Sequence, residues 1–162
     1  MPSSPLTSGS RAMAIGLVAL LLIGWSVPAL AADPSVTNPT NDSALNNTFP
    51  WAIEQVNADT QSENSITFSG TELNGQTLTV TEGNLLPNIN LTEPAHTVSL
   101  NATEALTFEV NGPGVSGTNI LNIERGKAII KDLKISGGDF EIGTNGTLEF
   151  NDTEAYPDRE VR

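Results

Sequence analysis

From Ile66 onward the chain repeats one small unit, apolar–polar–apolar, with a turn signal a few residues later. The runs are Ile66-Thr67-Phe68, Leu78-Thr79-Val80, Ile89-Asn90-Leu91, Val98-Ser99-Leu100 and Phe108-Glu109-Val110, then Ile120-Leu121-Asn122-Ile123, Ala128-Ile129-Ile130, Leu133-Lys134-Ile135, Phe140-Glu141-Ile142 and Leu148-Glu149-Phe150. Alternation with a period of two is the pattern of strands that bury one face. Each run is shorter than the usual strand of about five or six residues. Between them stand Asn74-Gly75, Gly83-Asn84, Asn111-Gly112, Gly137-Gly138 and Asn145-Gly146, all turn dipeptides. Strands spaced about ten residues apart permit a sandwich, a barrel or a solenoid. The strands are too short for a tall sandwich, and the same triplet throughout suits a narrow core shared by stacked repeats. Aromatic residues are only 5%, which favours stacked aliphatics over a Trp-centred sandwich core.

The first 32 residues read as a cleavable signal peptide. Arg11 is the only charge before Asp33, and Ala12 to Ile23 is a 12-residue run with no polar side chain. Gly24, Ser26 and Pro28 interrupt it, and Ala29-Leu30-Ala31-Ala32 supplies an A-x-A ending. A membrane-spanning helix needs about 20 apolar residues, more than this stretch offers. Cleavage is expected after Ala31 or Ala32, leaving a secreted or cell-surface chain with no membrane insertion.

That mature chain of 130 residues holds six basic and nineteen acidic residues, a net charge of −13. Nucleic acid is excluded as the main partner, because phosphate recognition needs clustered Lys and Arg. Cys is absent and His96 is the only His, so disulfides, thiolate catalysis and multi-His zinc sites are excluded. A small exported domain without disulfides must close its core another way, and repetitive β-structure is one. Six N-x-[ST] sequons begin at Asn41, Asn46, Asn90, Asn101, Asn145 and Asn151; an Asn- and Thr-rich β-protein generates such triplets by composition alone.

Asp33 to Asn47, with two Pro and four Asn, reads as an extended, mobile arm. One helix is expected at about 49–58. Thr48 suits the N-cap and Pro50 the first turn. Phe49, Trp51, Ala52, Ile53 and Val56 supply its apolar stripe, while Glu54 and Gln55 face water. A helix this short is marginal alone, so its Trp51, Ile53 and Val56 face is expected to cover the first β layer.

The order of motifs resembles the N-terminal portion of secreted bacterial right-handed parallel β-helix proteins, the autotransporter passenger-like and polymorphic outer-membrane-protein-like surface proteins. Many of these open with a helix reading S-L-R-x-A-I-x-x-A-N. Phe49-Pro50-Trp51-Ala52-Ile53-Glu54-Gln55-Val56-Asn57 is similar, with Ala52, Ile53 and Asn57 matching. An I-x-F strand (Ile66-Thr67-Phe68), an L-P-x-I step (Leu86 to Ile89), an I-x-x-L-x-I-x-G-G turn (Ile130 to Gly138) and an N-x-G-T-L strand (Asn145 to Leu148) follow in the family's order. The family's Gly-rich insertion after the Gly pair is missing, and its members are usually much longer. The resemblance spans Thr48 to Thr153. It implies an all-β fold, a right-handed parallel β-helix over 48–154 with a capping helix, followed by a polar tail at 155–162.

No catalytic set converges. Four of the six mature basic residues, Arg125, Lys127, Lys131 and Lys134, lie in one charged stretch with Glu124, Asp132, Asp139 and Glu141. A β-helix lyase would use clustered Asp for calcium and a basic residue as base, but the spacing of Lys131 and Lys134 is that of a wet strand face. No cofactor is expected. The acidic excess would suit calcium, yet no calcium-loop or Gly-Gly-x-Gly-x-Asp repeat is present. Gly137, Gly138 and Gly146 read as turn glycines, Asn residues near turns as ladders between layers, and His96, with no partner nearby in sequence, as a surface residue and not a base.

The expected function is therefore non-enzymatic: an exported β-helical scaffold for adhesion or surface display. Its partner would be a glycan or a host or cell-surface protein, with self-association through an open C-terminal β-helix edge. A polysaccharide lyase-like fragment and a nonfunctional gene remnant are the rival readings, and fold alone decides none of them.

Overall fold

In the computed structural model the ten alternating runs become eight strands, a ninth forms ahead of the helix, and every strand pair among the described residues is parallel. Residues 32–103, 106–112, 114 and 118–151 are described. The signal peptide up to Ala31 and the tail expected at 155–162 lie outside them. Among the described residues the protein is all-β with one helix. The elements in order are β1 (Ser35–Val36), α1 (Phe49–Ala58), β2 (Glu63–Phe68), β3 (Thr77–Thr79), β4 (Ile89–Asn90), β5 (Thr97–Ala102), β6 (Glu109–Asn111), β7 (Asn119–Lys131), β8 (Lys134–Ser136) and β9 (Asp139–Phe150). One sheet has the order β1-β2-β5-β7-β4 with β9 also on β7; the other is β3-β6-β8. Among the described residues, no helix is long and apolar enough to cross a membrane.

Pairing resolves into three ladders. The first is β1, β2, β5 and the second halves of β7 and β9. The second is β3, β6 and β8. The third is β4 with the first halves of β7 and β9. Beginning at β2, the chain visits the first, second and third ladders in turn, then repeats that order. Parallel strands cannot be joined by a tight hairpin, so each return to a ladder requires a long excursion. Paired residues such as Asn64 and Val98 are accordingly separated by one full round of the three ladders.

Register stacks like on like. Ile66, Leu100 and Ile130 lie in line across β2, β5 and β7. Leu78, Val110 and Ile135 do so across β3, β6 and β8, and Ile89, Ile123 and Ile142 across β4, β7 and β9. Apart from Ile142 in the last layer, all of these are buried. Each such side chain contributes roughly 1.5–3 kcal/mol on burial. The Phe49 and Phe68 rings meet edge to face at 4.9 Å, and Phe68 stacks on Phe108 at 5.7 Å.

Two pairs of expected runs merge, and the turn expected at Asn145-Gly146 is absent. The runs expected at 120–123 and 128–130 are one strand, β7, and those at 140–142 and 148–150 are one strand, β9. Gly126 (φ +93°) stands where β7 passes from one ladder to the other; the strand runs on through the corner, with a register shift between Ile123 and Arg125. A Cβ on Gly126 would lie 2.6 Å from Leu91 Cδ1. Gly146 is corrected from a turn glycine to a strand residue: it pairs with Gly126, and a Cβ there would collide with the Ile123 carbonyl.

The segment 33–47, expected as an extended, mobile arm, is joined to the sheet at its start. Ser35 and Val36 pair with Thr67 and Phe68, and Val36 is fully buried. Backbone carbonyls of Ala32, Pro34 and Val36 accept from Ser65, Thr67 and Ser69 N–H at 3.4, 3.1 and 3.1 Å. The N–H groups of Thr37 and Asn38 both donate to the Asn47 carbonyl at 3.0 Å. Its backbone extends a ladder that would otherwise end at β2.

Candidate functional site

The helix position follows from its sequence. Thr48 caps α1, its Oγ1 accepting from Trp51 N–H at 3.4 Å, and Pro50 fills the first turn. Phe49, Ala52, Ile53 and Val56 are fully buried and lie at i, i+3, i+4 and i+7, against β1, β2 and β4. Of the three expected cap residues, Ile53 and Val56 sit in this seam. Trp51 is only half-buried at its edge, because its position lies about 100° or more around the helix from the seam's centre. Phe49 takes the place expected for it.

At the opposite end the layers open. Ile130 in β7 is 1% exposed, whereas its partner Phe150 in β9 is 37% exposed. Ile142 and Leu148 of β9 are only partly buried. Among the described residues no strand follows β9.

The outward side of the first ladder is the candidate site. Here Ser65, Ser99 and Ile129 align, as do Thr67, Asn101 and Lys131, and Glu63, Thr97, Lys127 and Thr147. Alternation sends these residues away from the core because their neighbours Ile66, Val98, Leu100, Ala128 and Ile130 point into it. The alignment makes rows of hydroxyl and amide groups at the strand spacing of about 4.8 Å. A groove of about 590 Å³ runs over the face, lined by Asp33, Glu63, Asn64, Ser65, Thr97, Ser99, Asn101 and Ile129. Asn101 Nδ2 donates to Ser65 Oγ at 3.3 Å, tying two neighbouring rows together. Asp33 and Glu63 leave one end acidic; Lys127, ion-paired with Glu149, bounds the other. Such a surface offers donors and acceptors in a flat array rather than an enclosed reaction centre.

Several other charged residues are partnered. Lys134 Nζ bonds Glu109 Oε2 at 2.9 Å, and Ser136 Oγ donates to Glu109 Oε1 and, at 3.2 Å, is within reach of Asn111 Oδ1. Arg125 Nη1 donates to the Thr92 carbonyl at 3.0 Å, and Glu124 accepts from Asn88 Nδ2 at 2.6 Å. Lys131 is exposed. Among the described residues no three His, Asp or Glu side chains gather where a metal would sit. His96 does have a partner: its Nδ1 lies 3.0 Å from Thr92 Oγ1, and its carbonyl accepts from Lys127 N–H at 2.8 Å.

Asn41, Asn84 and Asn74 bond backbone and hydroxyl groups rather than one another's side-chain amides. Asn41 and Asn84 each donate an Nδ2 hydrogen to the other's carbonyl, at 2.7 and 2.6 Å. Asn74 Oδ1 accepts from Thr107 N–H and Oγ1 at 3.2 and 2.7 Å. Gly137 (φ +70°) closes the β8–β9 turn against Gly112 of the layer before, with Asn111 Oδ1 where its Cβ would be. Gly138 packs on Ile120, whose Cβ would be 2.9 Å from an added methyl. Comparison of the chain with protein-family models, curated proteins and solved structures returns no match.

Proposed function

We propose that this chain is an exported, non-catalytic scaffold, wound as a right-handed parallel β-helix of the autotransporter passenger-like kind, whose first-ladder face binds glycans in adhesion or surface display. The cyclic order in which the chain visits its three parallel ladders carries the fold part of the reading. Right-handedness rests on the strong preference of parallel crossovers. The hydroxyl and amide rows across Ser65, Ser99, Thr97 and Asn101 support a glycan as ligand, since neutral polyhydroxyl compounds are bound by such groups in number. The half-exposed last layer supports self-association at that end.

The test is a polysaccharide-binding screen of the mature chain, with Ser99→Lys placed in the groove as control. Binding lost by at least about tenfold in the variant, about 1.4 kcal/mol, with β-sheet circular dichroism unchanged, supports the reading. No binding to any polysaccharide contradicts the glycan assignment. Calcium-dependent release of unsaturated uronides would replace it with the lyase alternative.

A further inference from the structure

Ala32 begins the paired chain: its carbonyl makes the first bond of the β1–β2 ladder, to Ser65 N–H at 3.4 Å. Its nitrogen faces two acceptors. One is Asp59 Oδ2; the other is Asn64 Oδ1 at 3.0 Å. Both acceptors are fixed. Asp59 caps the C-terminus of α1, its Oδ1 accepts from Gln61 N–H at 2.8 Å, and its carbonyl accepts from Thr92 Oγ1. Asn64 is 5% exposed, and its Nδ2 donates to the Gln61 carbonyl at 3.3 Å.

A peptide nitrogen has one hydrogen to offer, and here a carboxylate and a buried amide oxygen compete for it. An α-ammonium has three hydrogens and a positive charge. It would satisfy both acceptors and pair with the carboxylate, a charge-assisted bond roughly twice as strong as a neutral one. We infer that the bond between Ala31 and Ala32 is the processing site, and that the new Ala32 ammonium is seated between Asp59 and Asn64 as part of the fold. The chemistry is hydrolysis: water adds across the peptide bond, giving the Ala31 carboxylate and the Ala32 amine, which takes up a proton. Ala29 and Ala31 are then the small residues of the A-x-A signal, whereas cleavage one residue later would put Leu30 at the first of those positions and remove the seated nitrogen. Removing the leader thus strengthens the N-terminal edge of the folded domain. The inference rests on the export reading above.

The full chain is expressed in a secreting bacterial host and the exported protein sequenced from its N-terminus. Ala32 at position one supports the inference. Asp33 there overturns it while leaving export standing; retention of Met1 inside the cell overturns both. The second measurement compares the chain starting at Ala32 with its Nα-acetylated form, each with and without Asp59→Asn. Acetylation is expected to lower Tm by about 4 °C in the parent and by much less in the Asp59→Asn background. Equal effects of acetylation in the two backgrounds would overturn the ammonium seat even if cleavage falls at Ala32.

Discussion

Asn57, in the last turn of α1, grips the backbone at Asn90 and Asn88, on both sides of the buried strand residue Ile89. Its Oδ1 accepts from Asn90 N–H at 2.8 Å, and its Nδ2 donates to the Asn88 carbonyl at 2.7 Å. The helix is therefore fastened to β4 by a polar clip as well as by its apolar seam. Replacing Asn57 by Ala removes both bonds and should cost about 1–2 kcal/mol in urea denaturation. Asn57→Asp keeps the acceptor, loses the donor and turns an oxygen toward the Asn88 carbonyl, so it should be at least as damaging. A cost below about 0.5 kcal/mol for both, the level of an ordinary surface change, would contradict the clip.

The seam itself is tested by contrast. Ile53 is fully buried and Trp51 is half-buried. Ile53→Asp places a carboxylate among Phe49, Val56 and the first β layer, and the domain should unfold or aggregate. Trp51→Ala should remain folded, losing on the order of 1–2 kcal/mol. A soluble Ile53→Asp protein with native circular dichroism would show that α1 is not a cap.

Gly126 predicts a second contrast. An added methyl meets Leu91 Cδ1 at 2.6 Å on a backbone with φ +93°, whereas one on Gly83 meets nothing within 4 Å. Gly126→Ala should cost more than about 2 kcal/mol from overpacking and backbone strain together. Gly83→Ala should lie within about 0.5 kcal/mol of the parent. The comparison is read from thermal unfolding of the two variants.

Much of this was legible in the sequence because the strands bury one face each. Alternation places every one of β2 to β9, and the 49–58 helix is announced by Thr48, Pro50 and its apolar spacing. Other features were hidden for physical reasons. Gly146 carries a turn signal in Asn145-Gly146, yet glycine serves close backbone packing as well as turning, and only the neighbouring Ile123 carbonyl tells which. The pairing of Ser35 and Val36 depends on β2, some thirty residues on, so a local reading of Asp33 to Asn47 shows only a polar segment. The groove face is likewise a register effect. Ser65, Ser99 and Ile129 are unremarkable in sequence and become a row only when their strands align. Asn57 was marked by the family motif, but nothing in its neighbourhood named Asn90 as its partner.

The Lys134–Glu109 pair is exposed at its lysine, 61% against 26% for the glutamate side chain. Lys134→Ala should change stability by less than about 1 kcal/mol, and the change should shrink in high salt. A larger, salt-insensitive loss in chemical denaturation would mean that Lys134 contributes through packing of its stem.

At the last layer, the mature chain should associate as its concentration rises, followed by sedimentation velocity. Leu148→Lys, which charges a partly buried position in β9, should weaken association at least about fivefold, near 1 kcal/mol. A strictly monomeric parent would show that this end is covered within the chain.

The account stands on successive circuits stacking in register on more than one ladder, and distance reports that most directly. The chain has no cysteine, so nitroxide labels can be placed freely at Ser65→Cys with Ile129→Cys, and separately at Thr77→Cys with Lys134→Cys. In each pair one strand lies between the labelled ones, putting the labelled Cα atoms roughly 10 Å apart. Both doubly labelled proteins should show strong dipolar broadening by electron paramagnetic resonance. Spectra equal to the sum of the single labels, in either pair, would contradict the stacked parallel ladders and the scaffold built on them.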